Sequence, residues 1–62
     1  MKDYESVFET SRNEKKGLTL YVNGLTISGL VVAYNQDIVE LRSREYSRII
    51  VRVQSIDLAA IS

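Results

Sequence analysis

The chain contains no cysteine and no histidine, and these two absences remove several classes of function. Without cysteine there is no disulfide, and without cysteine or histidine there is no thiolate or imidazole metal site. There is also no glycine-rich phosphate loop, and no pair of acidic residues beyond scattered helix and strand positions. We therefore expect no catalysis and no cofactor. The 62 residues make one small domain, for which oligomerisation is the remaining common means of stabilisation.

The chain also lacks an excess of charge of either sign, since eight lysines and arginines balance eight aspartates and glutamates. Nucleic-acid-binding proteins usually carry a basic surplus, so composition alone does not favour an RNA or DNA partner. Residues 1–16 alternate charges instead of forming the apolar run of a signal peptide, which predicts a cytoplasmic protein. Residues 17–36 carry no charge, but a strong turn signal at their centre argues against a membrane helix.

The turn signal is Asn23-Gly24, which lies within the stretch around which the chain is organised, residues 18–41. Asparagine followed by glycine supplies the two positive φ angles of a two-residue hairpin. The hairpin predicts three cross-strand pairs on one buried face: Val22 with Leu25, Leu20 with Ile27, and Leu18 with Gly29.

The remaining pattern predicts a mainly β protein with one short N-terminal helix. A narrow apolar stripe indicates a helix over about residues 2–15, with Gly17 as its stop. Gly29 is expected at a bulge or sharp bend of the second strand. After a loop at residues 34–37, further strands are predicted at residues 38–41, 48–53 and 56–61.

The last two strands carry apolar residues on both faces, although a domain of this size has a single core. The second apolar face therefore needs another partner, and unpaired strand edges favour addition of a further copy of the chain. A head-to-tail contact of this kind closes into a ring if the rotation fits. The predicted oligomer interface consists of Ile49, Ile50, Val51, Leu58, Ala59 and Ile61.

At this point the sequence resembles the Sm-like family, and among its members the bacterial Hfq RNA chaperones. The resemblance is carried, without gaps, by Val22-Asn23-Gly24, Ile27, Gly29, Val31 and Tyr34-Asn35-Gln36. It implies one domain over residues 1–62 with an Sm-like (SH3-like) bent barrel of five strands at about residues 18–61. It also implies homo-oligomeric rings, usually of six or seven subunits, in which the fourth strand of one subunit pairs with the fifth of the next.

The resemblance further implies single-stranded, uridine-rich RNA around the pore, held by the loop after the second strand and the corner after the fourth. The candidate RNA-binding residues are Tyr34, Gln36, Arg52 and Gln54 at the pore, with Arg12, Lys15 and Lys16 as a phosphate-contacting rim. All but Gln54 have a structural alternative: Tyr34 as a core or interface aromatic, Gln36 as a side chain that is solvated or bonded to a neighbouring subunit, Arg52 as half of an ion pair, and the rim as a solvated helix end.

Three departures from the family pattern bear on function. Asp37 stands where Hfq proteins place a base-stacking aromatic, Val39 stands where eukaryotic Sm proteins place a base-reading asparagine, and the Tyr-Lys-His corner of Hfq is replaced by residues 52–54, Arg-Val-Gln. An aspartate repeated around a pore repels phosphate. The alternatives to an RNA-binding ring are a structural or protein-binding ring that has lost the nucleotide site, and a monomeric SH3-like adaptor that binds a peptide through Tyr21 and Tyr34.

Overall fold

A computed structural model describes residues 2–62, with side chains from residue 4 onward; Met1 of the predicted domain lies outside the described residues. One helix is followed by five antiparallel strands in one sheet: α1 (Lys2–Glu14), β1 (Leu18–Val22), β2 (Leu25–Tyr34), β3 (Ile38–Arg42), β4 (Ile49–Arg52) and β5 (Ile56–Ile61). The strand order is β4-β3-β2-β1-β5, and the sheet is not closed. The predicted mainly β fold with a short N-terminal helix is confirmed, with β4 and β5 as its two free edges.

The β1–β2 hairpin has the predicted turn and the predicted register. Asn23 and Gly24 have φ angles of 51° and 83°, and the three expected pairs form. Leu18 and Leu20 are fully buried. Leu25, which was expected on the buried face, is 66% exposed because it lies beside the turn, beyond the end of the core.

β2 is ten residues long and changes its pairing partner at its middle. It pairs with β1 as far as Gly29 and with β3 from Leu30 onward. A bulge or a sharp bend was predicted at Gly29; the bulge is misplaced, because the irregularity in the ladder lies between Val31 and Ala33. Gly29 is needed for a different reason: a Cβ there would lie 2.8 Å from the carbonyl oxygen of Arg42. The glycine allows the backbones of β2 and β3 to approach where the strand passes from one partner to the other.

The helix ends differently from the prediction. Lys15 has a φ of 56°, and the Lys16 N–H donates to the Ser11 carbonyl over 3.2 Å, which is the six-to-one bond of a Schellman motif. A lysine therefore occupies the left-handed position that normally belongs to glycine, and Gly17 is not the helix stop.

Ser11 fastens the end of the helix to the sheet. Its side chain is fully buried, its hydroxyl donates to the Lys16 carbonyl over 2.7 Å, and it accepts the Val31 N–H over 3.2 Å. Phe8, one turn earlier on the same helix face, enters the core. The other core residues come from every strand and from the corner after β4: Leu18, Leu20, Val31, Val39, Leu41, Val51, Val53 and Ile56.

The predicted fourth strand was too long at both ends. β4 spans Ile49–Arg52, and the chain then turns through a short 3-10 helix, Val53–Ser55, before β5 begins at the predicted residue.

Among residues 2–62 no helix has both the length and the apolar character needed to cross a membrane.

Gly29→Ala is expected to lower the free energy of unfolding by about 1–3 kcal/mol, because the new methyl group meets backbone rather than a side chain that can move aside. Gly17→Ala is the matched control, since its Cβ would meet only the Ser62 hydroxyl at 3.6 Å. Urea unfolding of both variants measures the difference. Equal effects at the two glycines would contradict the close approach of β2 and β3.

Ser11→Ala is expected to lower the free energy of unfolding by about 1–3 kcal/mol, because it leaves the Val31 N–H buried without its acceptor. Thr10→Ala removes a neighbouring hydroxyl that bonds only to the Ser6 carbonyl at an exposed site, and should cost much less. The same urea titrations decide the point. A Ser11→Ala protein as stable as Thr10→Ala would show that the hydroxyl does not fasten the helix.

Candidate functional site

The structure brings together the two segments that the family resemblance assigns to a pore. The Val53 N–H donates to the Asp37 carbonyl over 2.9 Å, and Ile38 is paired with Arg52. The loop after β2 therefore lies directly beside the corner after β4. Three of the candidate RNA-binding residues, Gln36, Arg52 and Gln54, are exposed on these neighbouring segments.

The loop after β2 is shaped by Asn35, a residue whose role was not predicted. Its side-chain oxygen accepts the N–H groups of Asp37 at 2.7 Å and Ile38 at 2.9 Å, and its own N–H donates to the Ile38 carbonyl at 2.9 Å. The Asn35 side chain thus binds backbone N–H groups in the turn between β2 and β3, as asparagine commonly does in turns. The side chains of Gln36 and Asp37 are left exposed to solvent.

Tyr34 does not present a free ring to a base. It is half-buried, its ring centroid lies 5.5 Å from that of Phe8, and the Arg12 guanidinium lies over the ring at 5.6 Å. Its hydroxyl donates to Glu9. The ring is thus held against the helix, which agrees with the alternative of a core aromatic and not with the base-stacking role.

The three rim cations lie at the C-terminal end of α1, but two of them have carboxylate neighbours. Arg12 is 3.9 Å from Glu9, and Lys16 is 3.6 Å from Glu14. Of the three, Lys15 has no carboxylate within 4.0 Å among the described side chains. All three are exposed, so the pairs are loose and the cations stay accessible to phosphate.

The interface candidates separate into exposed side chains and core side chains. Ile50 on β4 and Leu58 on β5 are 47% and 49% exposed. Val51 is buried in the core of its own subunit, so its side chain is not available to a neighbouring copy. The other three, Ile49, Ala59 and Ile61, are partly buried against the same core.

The two tyrosines of the adaptor alternative do not share a surface. Tyr34 packs against the helix, whereas Tyr21 lies on the face of β1 that points away from the core, opposite Leu58 and Thr26. The arrangement does not favour a single peptide-binding face built from both.

An open groove of about 650 Å³ lies between the N-terminal half of α1 and the loop after β2. Phe8 and Val53 contribute its apolar wall, and the remaining lining residues are Tyr4, Glu5, Tyr34, Asn35, Gln36 and Asp37. The groove was not predicted, because its two sides are about 30 residues apart in the chain and share no motif.

The Glu9–Tyr34 hydrogen bond shifts the pKa of both side chains. It lowers the pKa of Glu9, with help from Asn13 and Arg12, and it raises the pKa of Tyr34. The bond therefore stabilises the fold most fully between the ordinary pKa of a glutamate and that of a tyrosine. Its contribution is lost as the pH falls through the lowered pKa of Glu9, and also as the pH rises through the raised pKa of Tyr34.

Tyr34→Phe should destabilise the protein near neutral pH, because it keeps the ring but removes the hydroxyl. The deficit relative to the native chain should shrink at acidic and at strongly alkaline pH. Tyr46→Phe, at an exposed tyrosine in the turn before β4, is the control and should show no such profile. Unfolding titrations across the pH range test this, and a Tyr34→Phe deficit independent of pH would contradict it.

Comparison with known proteins adds no functional assignment. No protein-family model and no curated protein matches the chain. The similarity to Sm-like proteins thus rests on the motif from Val22 to Gln36.

Proposed function

We propose that the chain assembles into a homo-oligomeric Sm-like ring that binds single-stranded RNA without catalysis. The observation that carries this proposal is the strand order, which leaves β4 and β5 as the two edges of one open sheet. These are the strands that the family resemblance pairs between neighbouring subunits.

Edge pairing between copies would satisfy two needs of this chain. Unpaired strand edges expose backbone N–H and C=O groups that readily pair with another strand. The exposed side chains of Ile50 and Leu58 lie on those same strands and would be covered by such a contact. A β4-to-β5 contact uses different surfaces on the two partners, so it is head-to-tail and can close into a ring.

RNA binding is supported by the position of the exposed polar residues relative to the edges. Gln36, Arg52 and Gln54 stand on the adjoining loop and corner, where β4 gives way to β5. In a ring, each subunit would supply this set around one opening. The amides would bond base edges and Arg52 would contact phosphate, while Arg12, Lys15 and Lys16 would give weaker contacts farther out.

The alternative, a structural or protein-binding ring, is favoured by one specific observation. Asp37 is exposed beside Gln36, and Glu5 lies across the groove from it. Repeated in every subunit, these carboxylates repel phosphate and attract basic partners.

Ile50→Glu and Leu58→Glu are each expected to convert the ring to a species of about 7.1 kDa, because a charge would be buried at the edge contact. Leu25→Glu places the same charge on an exposed leucine of the β1–β2 hairpin and should leave the assembly intact. Sedimentation velocity at micromolar concentration measures all three. If the native chain itself sediments as a monomer, the ring is excluded.

Native protein is expected to bind labelled oligo-U weakly, with an affinity that falls steeply with salt, since phosphate contacts would have to replace base stacking. Arg52→Ala should abolish this binding, whereas Arg44→Ala, at an exposed arginine in the turn before β4, should not. The titrations are run with oligo-U and oligo-A at low and at physiological salt.

Asp37→Phe distinguishes the two kinds of ring. If the native chain binds neither oligomer at low salt and Asp37→Phe gains oligo-U binding, the ring has lost its base site and the protein-binding alternative stands. If neither protein binds under any condition, RNA binding is excluded.

A further inference from the structure

Three aromatic rings form a row in the wall of the groove beside α1; the outer two, Tyr4 and Tyr34, are partly exposed, and Phe8 between them is only 2% exposed. The Tyr4 and Phe8 rings are nearly parallel with centroids 6.1 Å apart, and the Phe8 and Tyr34 rings are 5.5 Å apart. The Tyr4 hydroxyl donates to the Ile56 carbonyl over 3.0 Å, and the Tyr34 hydroxyl donates to Glu9. Both outer rings are therefore anchored by their polar ends, and the row is preorganised rather than assembled by a ligand.

The charged side chains that line the groove are acidic among residues 4–62. Glu5 stands on α1 and Asp37 on the loop after β2, and no lysine or arginine of that range belongs to the lining. Among the side chains of residues 4–62, no cation lies within 4.0 Å of either carboxylate. A protein with zero net charge thus presents a locally negative groove over an aromatic wall.

The row already holds one guanidinium. Arg12 lies over the Tyr34 ring at 5.6 Å, and its charge is shared with Glu9. A planar cation that stacks on an aromatic ring and pairs with a carboxylate is the preferred contact of arginine, since its guanidinium is weakly hydrated and delocalised. The groove offers the same combination, the Tyr4 ring with the carboxylates of Glu5 and Asp37. Among the described side chains, no lysine or arginine occupies it.

We propose that the groove binds an arginine side chain of a basic peptide segment in a protein partner, with the guanidinium against the partly exposed Tyr4 ring, between Glu5 and Asp37. The volume of about 650 Å³ accommodates the side chain together with the adjoining peptide backbone. Asn35 and Gln36 line the same groove and supply amide groups for that backbone. The groove is formed within a single chain, so the proposal goes beyond the ring and does not require it.

The test uses the native protein labelled with ¹⁵N and a blocked peptide, Gly-Arg-Gly-Arg-Gly. The control peptide replaces each arginine by citrulline, which has nearly the same shape and no charge. The arginine peptide should shift the amide resonances of residues 5, 36 and 37, with an affinity at least about tenfold above that of the citrulline peptide. Glu5→Gln and Asp37→Asn should each weaken binding severalfold, whereas Glu45→Gln, in the turn before β4, should not.

Three results would overturn the proposal: no groove shifts at millimolar arginine peptide, equal binding of the two peptides, or binding unchanged in both Glu5→Gln and Asp37→Asn. Groove shifts caused by oligo-U but not by the arginine peptide would assign the groove to RNA instead. Sedimentation of the same samples separates this outcome from that of the ring, because a monomer that binds the peptide refutes only the ring, and a ring that ignores the peptide refutes only the groove.

Discussion

The open edges of β4 and β5 are the constraint on which the rest of this structure depends. A chain of 62 residues buries a limited core, and this one has no disulfide with which to reinforce it. Its sheet nevertheless ends in two strands whose outer sides pair with no further strand among residues 2–62, and each of them carries an exposed large aliphatic side chain. Pairing the two edges between copies satisfies the backbone and covers the aliphatic side chains in one contact.

The helix forms one side of the groove. Ser11 fixes its C-terminal end to β2, and Phe8 fixes its middle in the core. With these two points fixed, Glu5 on the preceding turn lies across from the loop after β2. The Glu9–Tyr34 hydrogen bond then holds the end of β2 against the same helix. The shape of the groove therefore depends on contacts of its own wall residues, Phe8 and Tyr34, and on the Ser11 contact outside it.

Local signals in the sequence predicted the parts of the fold that depend on local chemistry. Asn23-Gly24 specified the hairpin and its register because few other dipeptides adopt two positive φ angles. The helix stop was missed because Lys15, and not Gly17, takes the left-handed conformation, and a lysine at that position gives no signal. Gly29 was recognised as special, but its close approach to Arg42 depends on a strand 13 residues away.

The candidate site was predicted less completely, because its contacts join residues far apart in the chain and because neighbouring aliphatic residues give no clear alternation. Val51 and Ile50 are both aliphatic, so strand alternation alone does not tell which of the two enters the core. Tyr34 looked available for stacking because its partner Glu9 is 25 residues earlier in the chain. The groove combines a helix face with a loop, and no spacing in the sequence reports that they meet.

Amide hydrogen exchange of the native chain tests the central claim, that β4 and β5 pair between copies, most directly. Alternate N–H groups of an edge strand point away from its own sheet and are exposed in an isolated subunit. We predict that these outward amides of Ile49–Arg52 and Ile56–Ile61 are protected at high micromolar concentration and lose protection on dilution, while amides within β2 do not change. Outward amides that exchange as fast as those of the loops at every concentration, beside a protected β2, would contradict the account.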